Sequence, residues 1–280
     1  MQVEPKYQYP RVLSIAGSDS GGGAGIQADL KTFSALGCFG MTAITALTAQ
    51  NTCGVRAIHG IAPQMLQDQI DAVVEDIGVD AVKIGMLHSP EIVRAVAQSI
   101  DKHCLTQVVF DPVMVATSGA VLIDQSAIDV LVHELFPRVA VITPNLDEAA
   151  LLVGQPLHCE TDMEQAAQTL LRRGAAAVLI KGGHLAGDVV SDLLLQSDGT
   201  RVWMRSARIP SPNTHGTGCS LSSAIAAHLA LGATLQDAVQ GGRDFVRGAL
   251  EAGALVRTGK GSGPLNHGFA PKPMHLKPLV

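Results

Sequence analysis

The segment that decides the fold begins Val139-Ala-Val-Ile-Thr-Pro-Asn-Leu-Asp-Glu148 and ends Ala177-Val-Leu-Ile-Lys-Gly-Gly183. Its two apolar runs, Val139 to Ile142 and Ala177 to Ile180, have the length and β-branched content of buried strands. Between them, Thr161 and Glu164 stand at capping-box spacing before a helical pattern through Ala167, Leu170 and Leu171. Strand, helix, strand in that order makes the two strands parallel neighbours of one sheet. The alternation extends towards the N-terminus. Val12-Leu-Ser-Ile-Ala16, Ala81-Val-Lys-Ile84 and Val108-Val-Phe110 read as further buried strands. Leu66, Ile70, Val73, Val74 and Ile77 recur at helical spacing, as do Val93, Val96 and Ile100 behind the start signal Ser89-Pro90. The expected fold class is α/β, a doubly wound, mostly parallel central sheet flanked by helices on both faces.

Composition agrees with that class and excludes others. The 280 residues are 47% apolar and 16% charged, enough to bury a large core, and with only 3% aromatics that core must be aliphatic. Twenty basic against 25 acidic residues, net −5, disfavours a nucleic-acid surface. No uncharged apolar run reaches the roughly 18 residues of a membrane helix, so no membrane partner is expected, and Val12 to Gly17 is too short for a signal-peptide core. The five cysteines, Cys38, Cys53, Cys104, Cys159 and Cys219, form no C-x-x-C pair and suit a reducing, cytoplasmic setting. No composition break or internal repeat divides the chain. Residues 1–280 therefore read as one domain, with 1–10 and about 258–280 as loosely held extensions.

In a doubly wound sheet the ligand crevice lies beyond the carboxyl ends of the strands. That rule selects Gly17-Ser-Asp-Ser-Gly-Gly-Gly-Ala-Gly25, Gly85-Met86, Asp111-Pro-Val113, Thr143-Pro-Asn145 and Lys181-Gly-Gly183. The glycine loop at 21–25 is neither a dinucleotide fingerprint, because Ile26 stands where the third glycine would fall, nor a P-loop. Asn213-Thr-His-Gly-Thr-Gly-Cys-Ser220 precedes a small-residue helix. Its unobstructed amides at 216–219 and the helix dipole suit an anion, although the same glycines also suit an ordinary turn into a buried helix.

Cys219, in the first turn, is expected to have a lowered thiol pKa and to serve as base or nucleophile; a small buried hydrophobe is the competing account. Lys181, at a strand end beside glycines, needs an anionic partner if buried, and phosphate is the natural one. Asp111 and Glu148 bring carboxylates from two strand ends towards one edge, which suits magnesium held partly through water. Taken alone, Asn145-Leu-Asp-Glu148 reads first as an N-cap with its capping-box glutamate. Gln50 offers a primary amide, able both to donate to and accept from an aminopyrimidine edge; by itself it reads as a solvated strand-end amide.

Taken together, Gly17 to Asp29, Met41 to Thr52, Lys83-Ile-Gly-Met86, Asp111-Pro-Val-Met114, Thr143 to Glu148, Lys181-Gly-Gly-His184 and His215-Gly-Thr-Gly-Cys219 resemble the hydroxymethylpyrimidine/phosphomethylpyrimidine kinases of thiamine biosynthesis, over roughly residues 11–267. These enzymes are members of the ribokinase-like superfamily. The resemblance implies two successive ATP-dependent phosphorylations, of 4-amino-5-hydroxymethyl-2-methylpyrimidine and then of its monophosphate, in one pocket, and it implies a homodimer. By matching position it implies that Gln50 reads the aminopyrimidine edge and that Ala24, Met86 and Val113 line the ring pocket. Lys181, Asn145 and Gly218 would meet ATP, Asp111 and Glu148 would face Mg2+, and Gly216, Thr217 and Gly218 would form the anion hole. Most sugar kinases of the superfamily carry aspartate where Cys219 stands, so the implied general base is here a thiol. Val115 to Ala120 is a candidate mobile lid on composition. Three rival functions are a pyridoxal kinase, a thiol hydrolase using Cys219 with His215 or His184, and a non-catalytic ligand sensor.

Overall fold

A computed structural model describes residues 4–114 and 125–279 of the chain; the candidate lid at 115–120 lies outside them. The strands are β1 (Tyr7–Gln8), β2 (Arg11–Ala16), β3 (Phe39–Ile44), β4 (Ala46–Asn51), β5 (Gly54–Gly60), β6 (Ala81–Ile84), β7 (Val108–Phe110), β8 (Val141–Ile142), β9 (Ala177–Ile180), β10 (Val189–Gln196), β11 (Arg201–Ala207) and β12 (Lys277–Pro278). The helices are α1 (Gly25–Ala35), α2 (Pro63–Asp76), α3 (Pro90–Lys102), α4 (Gln125–Leu135), α5 (Leu146–Val153), α6 (Glu160–Arg172), α7 (Thr217–Ala230) and α8 (Leu235–Gly253).

An eight-stranded sheet runs in the order β11-β10-β9-β8-β7-β6-β2-β3. From β3 to β9 every pairing is parallel, and β10 is antiparallel to both its neighbours. Because successive residues of a strand face opposite ways, each strand feeds two cores. Leu13, Ile15, Val82, Ile84, Phe110, Ile142 and Ile180 pack under α2, α3, α4, α5 and α6, while Val12, Ala81, Val109, Val141 and Leu179 pack under α1, α7 and α8. Small side chains such as Ala224, Ala226 and Ala227 let α7 lie buried against the sheet. The chain leaves β2 for β3 on one side and returns to β6 on the other, so the topological switch point, where such sheets bind ligands, falls between β2 and β6.

At that point the sheet is crossed by a fully buried ion pair. Lys83 of β6 points towards α1 and α7, and its Nζ lies 2.9 Å from both carboxylate oxygens of Asp29 on α1. Ser14 of β2 donates to Asp29 Oδ2 at 2.6 Å and Ser223 of α7 donates to Oδ1 at 2.6 Å. Four elements are thereby joined through one carboxylate.

Several element boundaries follow from particular hydrogen bonds. The run Met41 to Gln50 is divided between β3 and β4. Thr45 breaks it, donating its N–H to Ala16 O (3.0 Å) and its hydroxyl to Met86 O (2.8 Å), and β4 then pairs only with β5 in a separate hairpin. β8 begins at Val141, behind a 3-10 turn at Phe136–Arg138. The helix expected to start at Thr161 is capped instead by Cys159, with Asp162 accepting from the Cys159 N–H at 3.1 Å. Glu164 is used elsewhere, accepting from Arg201 and Trp203 of β11.

The expectation of a loose C-terminal extension is corrected. Lys260 and Gly261 N–H groups reach Thr52 Oγ1, Leu265 and His267 are buried, Lys272 and His275 donate to Ala35 and Gly37 carbonyls, and β12 pairs with β1. Backbone groups bound to four different places hold the tail where composition suggested mobility. Among the described residues no helix is long and apolar enough to cross a membrane.

Removing one partner of a buried pair leaves a charge without compensation. Lys83→Met should lose about 3–5 kcal/mol of stability in urea unfolding, and adding Asp29→Asn to it should recover part of that loss.

Candidate active site

A cavity of about 500 Å³ opens at the carboxyl edge of the sheet around the switch point. Ala24, Gln50, Met86, Asp111, Val113, Asn145, Glu148, Lys181, Gly216, Thr217, Gly218 and Cys219 all line it. The motifs converge because each follows a parallel strand or opens a helix at that edge, except Gln50, which the β4–β5 hairpin brings there.

One wall is a charge cluster. Lys181, directly after β9, places Nζ 2.7 Å from Asp111 Oδ1 and 3.7 Å from Glu148 Oε2. Asp111, directly after β7, also accepts from Thr143 Oγ1 at 3.1 Å and from Ser222 Oγ of α7 at 3.4 Å. Glu148 is the capping-box glutamate of α5: its Oε2 accepts from the Asn145 N–H at 2.7 Å while Asn145 Oδ1 accepts from the Glu148 N–H at 2.8 Å. The ordinary cap and the cavity carboxylate are one residue. Burial opposes the Lys181 charge, but Asp111 and Glu148 more than offset it and hold the ammonium protonated. Burial pushes the Glu148 carboxyl upward, Lys181 pulls it back, and the charge of Asp111 adds to the upward push. Lys181 is aimed from behind: the adjacent Gly182 N–H donates to Asp192 Oδ1 at 2.8 Å, and Asp192 is itself paired with buried Arg243 at 2.7 Å.

The facing wall is the N-terminus of α7. Gly216 adopts φ +82°, and a Cβ there would collide with the Gly23 carbonyl, so only glycine fits where the two loops touch. A Cβ on Gly218 would stand 3.2 Å from Lys181 Nζ, which measures how near the loop lies to the charge cluster. Among the described residues the N–H groups of Gly218 and Cys219 have no acceptor, and both residues line the cavity. Free first-turn donors beside a lysine make an anion site.

The expectation of a lowered Cys219 pKa is corrected. Burial pushes the thiol up to about 11, with Lys83 pulling it down and Asp29 and Asp111 pushing it further up. Desolvation of the thiolate outweighs the favourable end of the helix dipole.

Several site residues escaped attention in the sequence. Asp19, 2% exposed, accepts from the Gly21, Gly23 and Ala24 N–H groups at 2.8–3.0 Å and sits 2.9 Å from His215 Nε2. It thus ties the first glycine loop to the second. The signal was a carboxylate inside a glycine loop, which is the one side chain able to satisfy several converging amides. Lys83 was likewise legible as a lysine inside an apolar strand, which requires a buried carboxylate. His184, grouped with Cys219 in the hydrolase alternative, instead pairs with Asp147 at 2.8 Å at the cavity rim, and His215 is bound to Asp19.

Comparisons with known proteins identify the family. The family model described as phosphomethylpyrimidine kinase matches residues 19–266. A hydroxymethylpyrimidine/phosphomethylpyrimidine kinase of Rhizobium meliloti is 49% identical over 256 residues, covering 91% of this chain and 96% of that one. Among solved structures, the phosphomethylpyrimidine kinase of Clostridium difficile is 42% identical with a TM-score of 0.75, covering 86% of this chain and 99% of the other. The ADP complex of Bacillus subtilis pyridoxal kinase is 36% identical with a TM-score of 0.85, covering 93% and 98%.

With the thiol protonated at neutral pH, peptide-mapped alkylation by iodoacetamide should label exposed Cys53, Cys104 and Cys159 first. Cys219 labelling should rise continuously from pH 7 to pH 9 without levelling.

Proposed function

The chain belongs to the phosphomethylpyrimidine kinase family, and we propose that it phosphorylates 4-amino-5-hydroxymethyl-2-methylpyrimidine and then its monophosphate, with ATP as donor, in thiamine biosynthesis. The observation that carries this reading is the meeting, in one cavity, of the Lys181–Asp111–Glu148 cluster and the free amides of α7. A cationic side chain and helix N–H groups facing each other across a site suit a transferring phosphoryl group, whose loose transition state needs positioning and charge neutralisation more than covalent help.

Gln50, Ala24, Met86 and Val113 hold the pyrimidine with its hydroxymethyl group towards Cys219. Lys181 neutralises ATP phosphates, Asn145 and Gly218 border the nucleotide, and Gly216, Thr217, Gly218 and Cys219 supply the anion hole. Asp111 and Glu148 fit Mg2+: both are hard carboxylate donors on the cavity, from separate strand ends, suited to an ion that keeps several waters. The ion supplies charge compensation for the phosphates.

Cys219 accepts the hydroxyl proton as thiolate. Because burial pushes the thiol up to about 11, the competent fraction grows as pH rises, so kcat should climb through the alkaline range and Cys219→Ala should flatten that profile. The five free cysteines support a cytoplasmic location. For the homodimer, the β4–β5 hairpin offers a contact surface, with Leu47 and Ile58 exposed.

The test is ADP release with the pyrimidine alcohol and its monophosphate as separate acceptors. Both should support turnover only with magnesium present, and Lys181→Met should lower kcat by roughly 100-fold or more for both. ADP release indifferent to the pyrimidine would overturn the reading.

A further inference from the structure

The turn that carries the anion loop is closed by one buried hydroxyl. Ser220 of α7 is fully buried, and its N–H and its Oγ both donate to the Gly216 carbonyl, at 2.9 and 2.8 Å. The two bonds fill both lone pairs of that carbonyl and enclose Thr217, Gly218 and Cys219, so the directions of the free Gly218 and Cys219 amides are set within this one turn. A carbonyl only accepts. The Ser220 hydroxyl proton is therefore committed to Gly216, and Oγ is left as an acceptor.

The group that meets Oγ comes from the C-terminal tail. His267, itself buried, places Nε2 2.8 Å from Ser220 Oγ. Burial, reinforced by the charge of Lys31, pushes this imidazole down to about 4, so at neutral pH it is uncharged and its single proton sits on Nε2, facing the hydroxyl. The chain from His267 Nε2–H through Ser220 Oγ–H to Gly216 O uses each proton once. The same stretch of tail meets the beginning of the loop, where Gly263 O accepts from the His215 N–H at 3.1 Å. A Cβ on Gly263 would collide with Asn213 Oδ1, so the tail lies close against the loop there. Packing alone does not require a polar pair at the other end. Alanines fill α7 at 224, 226, 227 and 230, whereas a buried hydroxyl and imidazole carry a desolvation cost that only their pairing offsets.

We infer that His267 is a positioning residue for phosphoryl transfer: through Ser220 it holds the Gly216 carbonyl, and with it the Gly218 and Cys219 amides, in the orientation that receives the transferred group. The inference rests on the kinase reading and on the N-terminus of α7 as the anion hole. It gives the tail a part in the reaction, although no described tail residue lines the cavity. Amides aimed at a phosphoryl group act most strongly as its charge redistributes in the transition state, so a turn that loosens costs turnover more than acceptor binding.

The test measures kcat and KM for the pyrimidine alcohol and for its monophosphate in wild type, His267→Leu, His267→Gln and Ser220→Ala, with a thermal melt of each. His267→Leu and Ser220→Ala should each lower kcat by about tenfold for both acceptors, with acceptor KM changed by less than about twofold. His267→Gln, whose amide N–H reaches the place of Nε2, should recover most of the loss. The double variant His267→Leu with Ser220→Ala should be no slower than the slower single variant, because both changes break one chain. Where His267→Leu does not fold, Ser220→Ala and His267→Gln carry the same comparison. Wild-type kcat in folded His267→Leu or Ser220→Ala, a loss that spares kcat and raises acceptor KM, or losses that multiply in the double variant overturn the inference and leave the kinase reading intact. A wild-type chain that phosphorylates neither pyrimidine overturns both.

Discussion

The Asp29–Lys83 ion pair is the constraint on which the rest of the site depends. Both side chains are fully buried, so neither charge is tolerable without the other. Their satisfaction requires β2, β6, α1 and α7 to meet at one point, through Ser14 and Ser223. A buried pair of this kind is modest support for stability compared with well-packed apolar residues. What it supplies is specification of geometry. It fixes α7 against the switch point of the sheet, with the first turn of that helix, and so the anion loop, at the cavity.

From that anchor the charges of the site fall into a compensated series. Lys83 answers Asp29, Lys181 answers Asp111 and Glu148, and Arg243 answers Asp192. Each cation holds a loop or strand end that reaches the cavity. Groups arranged in this way face the transferring charge without reorganising when it develops, which is the main source of electrostatic catalysis. The same compensation explains the high thiol pKa of Cys219. The nearest positive charges are already committed to carboxylates, so burial dominates. A reaction with a loose transition state tolerates so reluctant a base.

Much of this was legible in the sequence. Short apolar runs such as Ala81 to Ile84 and Ala177 to Ile180 are strands because four buried residues between turn signals have few other fates, and the strand-end rule led to Ala24, Met86, Asp111, Val113, Asn145 and Lys181 among the proposed cavity residues. What was missed depends on which partners the fold brings together. Composition around Thr258 to Val280 suggested a loose tail, but the anchors of that tail, Thr52, Ala35, Gly37 and β1, are distant in sequence. The helix-terminal position of Cys219 was visible, whereas its burial was not, and the two act in opposite directions. Asp19 and His215 were read as parts of separate loops; their contact spans most of the chain and has no local signature. The division between β3 and β4 at Thr45 comes from tertiary bonds to Ala16 and Met86, with no glycine or proline to announce it.

The central claim is that one cavity transfers phosphoryl groups from ATP to an aminopyrimidine alcohol. The most direct test is a mass-spectrometric time course with purified protein, magnesium, ATP and the pyrimidine alcohol alone. The account predicts that a monophosphate appears first and a diphosphate accumulates at its expense. A product series that never leaves the unmodified alcohol, while pyridoxal in a parallel tube is phosphorylated, would contradict it.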